Sequence, residues 1–491
     1  MGIIDLMQSE NNLTFTENGA LTNKSTFDAV LDFFANGGGL KDNPEAFLQY
    51  FINAYNTDKQ LAIKVLFYLR DVRGGQGIRE GFRQCLIYLA NTDDEYIIKV
   101  LLSNIAFYGR WDDYFCLLET RYAKLVFELL DEQIAEDLGH IFANKPISLL
   151  GKWLKSENTS SKESRRIAKM IRKGLNLSSV EYRRLLSKLR AYIDITERKL
   201  SFNQVNEIEY SRVPSKAMDK YKKAFIRKDG DRYNKYIEDV LEGKNKINSS
   251  TLYPYEICYT IRTNSVDVNV LKTCEAQWNA LPNYMAEPEN SIAVVDVSGS
   301  MGGGYQKTDP INVSVSLGLY FAERNQGIFN NKIITFSANP QIFDITGKTI
   351  AKKLESIFSS HVGGYTTNIQ AVFDLILNTA IKHKLPESEM IKKIYIISDM
   401  EFDSHEIDGK TNFEAIKYKY QESGYEMPKL VFWNVESRNK QVPVTKDENG
   451  TYLVSGCSPA ILRYAMNTQT VTPYELMLEV INSSRYDRLT F

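Results

Sequence analysis

Cysteine is scarce in this chain of 491 residues: Cys85, Cys116, Cys258, Cys274 and Cys457 lie far apart and never form a Cys-x-x-Cys pair. An odd, scattered set excludes a disulfide framework and a cysteine-based zinc site, and it implies a reducing, cytoplasmic setting. Histidine is scarcer still. His140, His361, His383 and His405 show no His-x-x-x-His spacing of the kind that holds a catalytic metal. The sequence also lacks a Gly-x-Ser-x-Gly elbow and a phosphate-binding P-loop. Together these absences argue against an enzyme. No apolar run reaches the ~18 residues that a membrane span needs. The opening Met1-Gly2-Ile3-Ile4-Asp5 has neither the basic nor the apolar region of a signal peptide.

What is present is a chain long enough for two or three domains, 43% hydrophobic and 25% charged, as ordinary globular proteins are. Its net charge of −1 hides a strong asymmetry. Residues 1–150 hold 13 Lys and Arg against 21 Asp and Glu, and residues 251–491 hold 22 against 27. Residues 151–250 hold 25 against 13, the only strongly positive stretch.

After a polar lead-in over residues 1–20, apolar residues recur at three- and four-residue spacing. Phe27, Val30, Leu31 and Phe34 predict a helix, with Ser25 as its N-cap and Gly37-Gly38-Gly39 as its stop. Further helices are predicted after Asn43-Pro44 and Thr57-Asp58, then at about 95–107, 111–130 and 131–155. Short helices with no strand pattern between them suggest an irregular α-solenoid of the HEAT kind. The basic segment is helical too, over 161–174, 178–192, 195–203, 214–225 and 231–242. From about Leu281 the period changes. Strands near 292–297, 331–337, 340–344, 393–398 and 429–435 alternate with helices at 310–324, 348–359, 368–383 and 412–422, the pattern of a doubly wound α/β domain. Val442 to Val454, with Glu448-Asn449-Gly450 in the middle, reads as a hairpin.

The stretch Ile292-Ala293-Val294-Val295-Asp296-Val297-Ser298-Gly299-Ser300 organises this second half. A short apolar strand ends in a carboxylate and two hydroxyls, three hard oxygen donors on one loop. Such donors suit Mg²⁺ or another divalent cation. This loop resembles the metal-ion-dependent adhesion site of von Willebrand factor A domains, written Asp-x-Ser-x-Ser. The resemblance implies a Thr from a second loop and an Asp from a third. Gly363-Gly364-Tyr365-Thr366-Thr367-Asn368 and Ile394-Tyr395-Ile396-Ile397-Ser398-Asp399 supply candidates, with Thr367 preferred over Thr366. The implied ligand set is therefore Asp296, Ser298, Ser300, Thr367 and Asp399, with an open position that a partner's carboxylate can fill. Asn368 departs from the family, which often carries Asp there.

Two stretches, Arg70-Asp71-Val72-Arg73-Gly74-Gly75 and Tyr108-Gly109-Arg110-Trp111-Asp112-Asp113, resemble the repeats of TROVE modules in Ro ribonucleoproteins. Val213-Pro214-Ser215-Lys216-Ala217-Met218, Leu252-Tyr253-Pro254-Tyr255-Glu256, Ser398-Asp399-Met400-Glu401-Phe402-Asp403 and Val431-Phe432-Trp433-Asn434 are closer to a TROVE-like family, domain of unknown function 2828. That resemblance runs over roughly residues 20–490. It implies an α plus α/β protein: an N-terminal arm over 1–20, a TROVE-like helical ring or solenoid over 21–280, and an A domain over 285–491. It also implies a ring whose basic interior accepts single-stranded RNA.

Three basic clusters are the RNA-binding candidates that charge alone picks out. Arg165, Arg166, Lys169, Arg172 and Lys173 share one helix, and Arg183, Arg184, Lys188 and Arg190 the next. Lys220, Lys222, Lys223, Arg227 and Lys228 form the third, with Tyr221 and Phe225 interleaved. Cations in this number can neutralise phosphates, and aromatics beside them can stack unpaired bases. Arg70, Arg73, Arg79 and Arg110 are expected instead to pair with Asp71, Glu80 and Asp112 between repeats, although the resemblance to Ro-type rings implies that some of them line the interior. The expected function is thus non-enzymatic RNA binding, with a protein partner at the metal loop and no membrane. The alternatives are a metal-dependent protein-interaction scaffold, or a component of a larger assembly that does not bind RNA.

Overall fold

The computed structural model describes residues 7, 11–92, 95–285, 289–336, 339–359, 366–404, 410–467 and 472–490. A helical region is followed by a six-stranded, mostly parallel sheet. The polar lead-in is tied down from Asn12 onward. A two-stranded antiparallel ribbon, β1 (Leu13–Phe15) and β2 (Leu21–Asn23), lies against the far end of the chain. Thr16 Oγ1 donates to the Phe402 carbonyl at 2.7 Å, and Asn23 exchanges backbone hydrogen bonds with Val442.

The helices start where short polar side chains can cap them. Asp28 accepts from the Leu31 N–H, Asn43 from that of Ala46 and Asp58 from that of Leu61. Asp28 thus takes the capping role expected of Ser25, because Phe27 turns the chain through a positive φ of 64° just before it. Helices Ala29–Gly37, Pro44–Thr57, Lys59–Arg70, Glu80–Thr92 and Glu95–Tyr108 then pack pairwise around Phe33, Phe47, Phe51, Phe67 and Phe82. Residues 111–155, expected as two helices, form a 3₁₀ segment Trp111–Leu117, one long helix Ala123–Phe142 and a single turn Leu150–Trp153. The long helix ends because Asn144 adopts a positive φ of 51° and Pro146 follows. Helix Ser215–Leu241 breaks at Asp229, so the two helices expected over 214–242 meet at a kink.

The glycine triplet does more than stop a helix. A side chain on Gly38 would meet the Ser455 carbonyl at 2.5 Å, and one on Gly39 the Ser437 hydroxyl at 2.6 Å. Only bare backbone lets the Gly38 N–H reach Ser455 Oγ (2.9 Å) and the Gly39 carbonyl accept from Ser437 N–H (3.1 Å). The first helix is thereby joined to the last strand of the sheet.

The sheet runs β5 (Ile342–Asp344), β4 (Lys332–Thr335), β3 (Ser291–Val295), β6 (Lys393–Ser398), β7 (Lys429–Asn434), β8 (Thr451–Ser455), all parallel except β5. Parallel strands buried on both faces must be apolar on both. Ile292, Val294, Ile394, Ile396 and Phe432 pack under helices Ile369–His383 and Asn412–Glu422. Ala293, Val295, Tyr395, Ile397 and Trp433 face helix Pro310–Arg324 and share one continuous core with the helical region. The hairpin expected over 442–454 does not form. Residues 451–455 instead reach β7 as a parallel strand, which extends the buried sheet. The chain end folds back onto the first helices: Tyr486 stacks on Tyr108 with centroids 5.4 Å apart, and Arg485 pairs with Asp71. Among the described residues, no helix is long and apolar enough to cross a membrane.

Candidate functional site

Counted within the sheet, the strand order is 3-2-1-4-5-6. The direction of winding therefore reverses between β3 and β6, and the crevice outside their carboxyl ends is where such sheets bind ligands. Asp296 leaves the end of β3 and Asp399 the end of β6. Both are buried, and Ser398 links them: its Oγ donates to Asp296 Oδ2 at 2.6 Å and stands 3.4 Å from Asp399 Oδ1. Asp296 Oδ1 accepts from the Ser298 N–H at 2.9 Å, which turns the loop so that the Ser298 and Ser300 hydroxyls lie 3.0 Å apart. Burial raises the Asp296 pKa above the usual carboxylate range. The hydrogen bonds from Ser398 and Ser298 oppose that shift, and the Asp403 charge adds to it.

Thr367 joins this crevice through Asp403, whose carboxylate accepts from the Thr367 N–H at 2.7 Å and whose N–H donates to the Thr367 carbonyl at 3.2 Å. Its own Oγ1 is buried without a hydrogen-bond partner. Thr366 Oγ1 is likewise unpartnered, but that residue is only half-buried. A buried hydroxyl left unpaired is costly, and a cation beside it would satisfy it. Two carboxylates and three hydroxyls thus fit a hard divalent ion. Among the described residues, three or more His, Cys, Asp or Glu side chains nowhere converge as metal ligands, so hydroxyls are needed to complete the set. Gly363, Gly364 and Tyr365 lie outside the described residues. Asn368 caps helix Ile369–His383 by accepting from the Ala371 N–H at 2.9 Å. Asp399 also carries an ion pair with Arg438, which the sequence did not suggest.

The second feature is a cavity of about 2310 Å³ lined mostly by the helical region, with Thr308, Cys457 and Arg488 added from the second half of the chain. Fifteen of its lining residues are Lys or Arg and eight are Asp or Glu, so its wall is net positive. Burial lowers the Lys155 pKa; Arg83, Arg110 and Arg79 push it further down, while Asp112 opposes them. Aromatic faces alternate with these cations. The Arg110 guanidinium lies 4.1 Å from the Trp153 ring centre, Arg488 lies 4.5 Å from Phe107 and Lys216 4.8 Å from Tyr253.

Of the basic-cluster residues read from the sequence, Arg183, Arg190 and Lys220 line this cavity. Arg165 donates to the carbonyls of Thr159 and Ser160, and Arg166 pairs with Glu119 and Glu163. Arg172 pairs with Glu157 at 2.9 Å. Lys222 is buried against Asp219. Lys169, Lys173, Arg184, Lys188, Lys223, Arg227 and Lys228 are exposed and lie off the cavity wall. Arg79, Lys152, Lys155, Arg198, Lys199, Arg212 and Lys216 line it as well. No basic cluster marks these last seven; the one legible signal among them was the arginine-rich stretch 70–79. Arg79 pairs with Glu80 and Arg110 with Asp112, but each within its own stretch rather than between repeats as expected. Arg70 does not pair with a neighbour in sequence; it is buried against Asp113.

The chain matches the family described as Domain of unknown function (DUF2828) over residues 16–104 and 112–288, and Domain of unknown function (DUF7788) over residues 290–487. It is 31% identical to "Uncharacterized protein L728" of Acanthamoeba polyphaga mimivirus over 512 aligned positions, which cover 96% of this chain and 87% of that relative. Among solved structures it is similar to the RO (RSR) protein of Deinococcus radiodurans at 11% identity. That superposition covers 95% of this chain and 96% of the other, with a TM-score of 0.37.

Proposed function

This chain belongs to the family described as Domain of unknown function (DUF2828), and from that premise and its two sites we propose that it is a non-enzymatic, Ro-like RNA-binding protein. In this reading a HEAT-like, TROVE-type arc takes single-stranded or structured RNA into its basic cavity. The α/β half is a von Willebrand factor A domain that holds Mg²⁺. The observation that carries the reading is the cavity wall, where cations outnumber acids nearly two to one and stand beside aromatic faces. Phosphates supply the counter-charge for the cations, and unpaired bases have π-faces to stack on Phe107 and Trp153. The test is a titration of single-stranded RNA at two salt concentrations. Tight binding that falls steeply with salt is expected; absence of binding at low salt would sink the reading.

At the sheet edge, Asp296, Ser298, Ser300, Thr367 and Asp399 would hold the ion, directly or through water. When bound, the ion supplies a fixed positive charge with a position open to a carboxylate. We expect Mg²⁺ to raise the melting temperature of the protein and Asp296→Ala to abolish that rise. A ligand at a hundred times its Kd stabilises by about 2.7 kcal/mol, so the effect is measurable. A rise of equal size in Asp296→Ala would remove the site. The unpartnered Thr367 hydroxyl and the open position also favour a second reading, a metal-dependent scaffold for an acidic protein partner. Cation-dependent partner binding without RNA retention distinguishes it.

A further inference from the structure

Arg438, on the loop after β7, reaches from solvent onto the buried carboxylate of Asp399. Its side chain keeps 31% of its exposure while that of Asp399 has none. Its Nη2 pairs with Asp399 Oδ2, its Nε lies 3.3 Å from Glu436 Oε2, and its Nη1 lies 3.7 Å from Glu17 Oε2. The other oxygen of Asp399 accepts from the Glu401 N–H at 3.1 Å. Oδ2 of this carboxylate is therefore taken by a cation and Oδ1 by the backbone. Asp296, Asp399, Glu401, Asp403, Glu17 and Glu436 crowd the same sheet edge. A buried carboxylate in such company is costly without a counter-charge.

We propose that Arg438 is the tethered counter-cation of this site, which occupies Asp399 until a divalent ion displaces it and so sets the affinity for that ion. The proposal rests on the metal reading above. A guanidinium and a hydrated Mg²⁺ cannot both occupy the open side of one carboxylate, so each must exclude the other. Arg438 is long enough and exposed enough to withdraw to solvent, whereas Asp399 is fixed at the end of a buried strand. The N-terminal ribbon is tied to the same segment: the Glu17 N–H donates to Glu401 Oε2 at 2.7 Å and Asn18 Nδ2 to the Glu401 carbonyl at 2.6 Å. Ion binding therefore removes the Arg438–Glu17 tie of that ribbon and leaves its other bonds in place.

The test is calorimetric titration of the full chain with MgCl₂ and MnCl₂, for the native protein, Arg438→Gln and Arg438→Lys. If Arg438 leaves the site free about one-tenth of the time, Arg438→Gln tightens the Kd about ten-fold. Arg438→Lys, which loses the planar fork and keeps the charge, is expected to fall between. Equal Kd values in all three proteins would overturn the role of Arg438 and leave the metal site standing. No binding by any of them would overturn the metal reading and this inference with it. Should Arg438→Gln fail to fold, Arg438→Lys carries the comparison alone.

Discussion

Substituting Gln for Arg79, Lys152, Lys155, Arg198 and Lys220 together is expected to weaken single-stranded RNA binding roughly a hundred-fold or more at low salt. All five line the cavity. Few structural roles depend on them: the Arg79–Glu80 pair is half exposed, and exposed pairs contribute little to stability. Lys152 stands 3.9 Å from Glu197, and Arg198 and Lys220 lie over the rings of Phe202 and Tyr221. Each phosphate left without its cation should also flatten the slope of log affinity against log salt by about 0.7, the value for single strands. The matched control replaces Lys169, Lys173, Arg184, Lys188 and Lys223, which are exposed and lie off the cavity wall, and should change affinity by less than about three-fold. The two sets remove the same number of charges, so only the position of the charge separates them. An affinity that falls in the control set and holds in the cavity set would place the RNA on the outer helices.

Asp113→Ala is expected to destabilise the fold by about 3–5 kcal/mol, the range for breaking a buried ion pair from one side. Asp113 is fully buried and is a hub. Its Oδ2 accepts from Arg70 Nε (2.9 Å), Arg70 Nη2 (2.6 Å) and the Arg110 N–H (2.9 Å), and its Oδ1 accepts from Arg83 Nε (2.9 Å). Arg70 is itself 1% exposed, so removing the carboxylate leaves a guanidinium in the core without compensation. Adding Arg70→Met to the same protein removes the uncompensated charge and should restore about half or more of the loss. The measurement is the midpoint of urea unfolding with an unchanged slope. A loss below about 1 kcal/mol, the range of an exposed pair, would show that the hub does not hold the helices together.

The α/β half was largely legible in the sequence because its signals are local. Ile292–Val295 and Ile394–Ile397 are apolar runs too short for helices, each closed by polar loop residues, and each became a strand with its carboxylate at the end. Capping chemistry worked the same way. Thr411 with Glu414 and Thr472 with Glu475 form capping boxes that begin helices. The hairpin expected over 442–454 failed for a tertiary reason: residues 451–455 read as a strand in either arrangement, and the buried edge of β7 was the better partner.

The helical half shows the limit more sharply. Periodicity predicts a helix and its polar face, but the wall of a wet cavity and the outer surface of the molecule are both polar. Hydropathy therefore cannot tell Lys220, which lines the cavity, from Lys223, three residues on, which does not. It could not tell either of them from Lys222, which is buried against Asp219. What the sequence determined by itself was the order of most helices and strands and the oxygen-bearing side chains on the loop after β3, all set by neighbours a few residues apart. The tertiary structure decided which cations face one another across the cavity, that Arg438 lies on Asp399, and that bare glycines bring the first helix against the last strand. The Arg438–Asp399 pair spans 39 positions and the Gly38–Ser455 bond 417, and no local pattern encodes either.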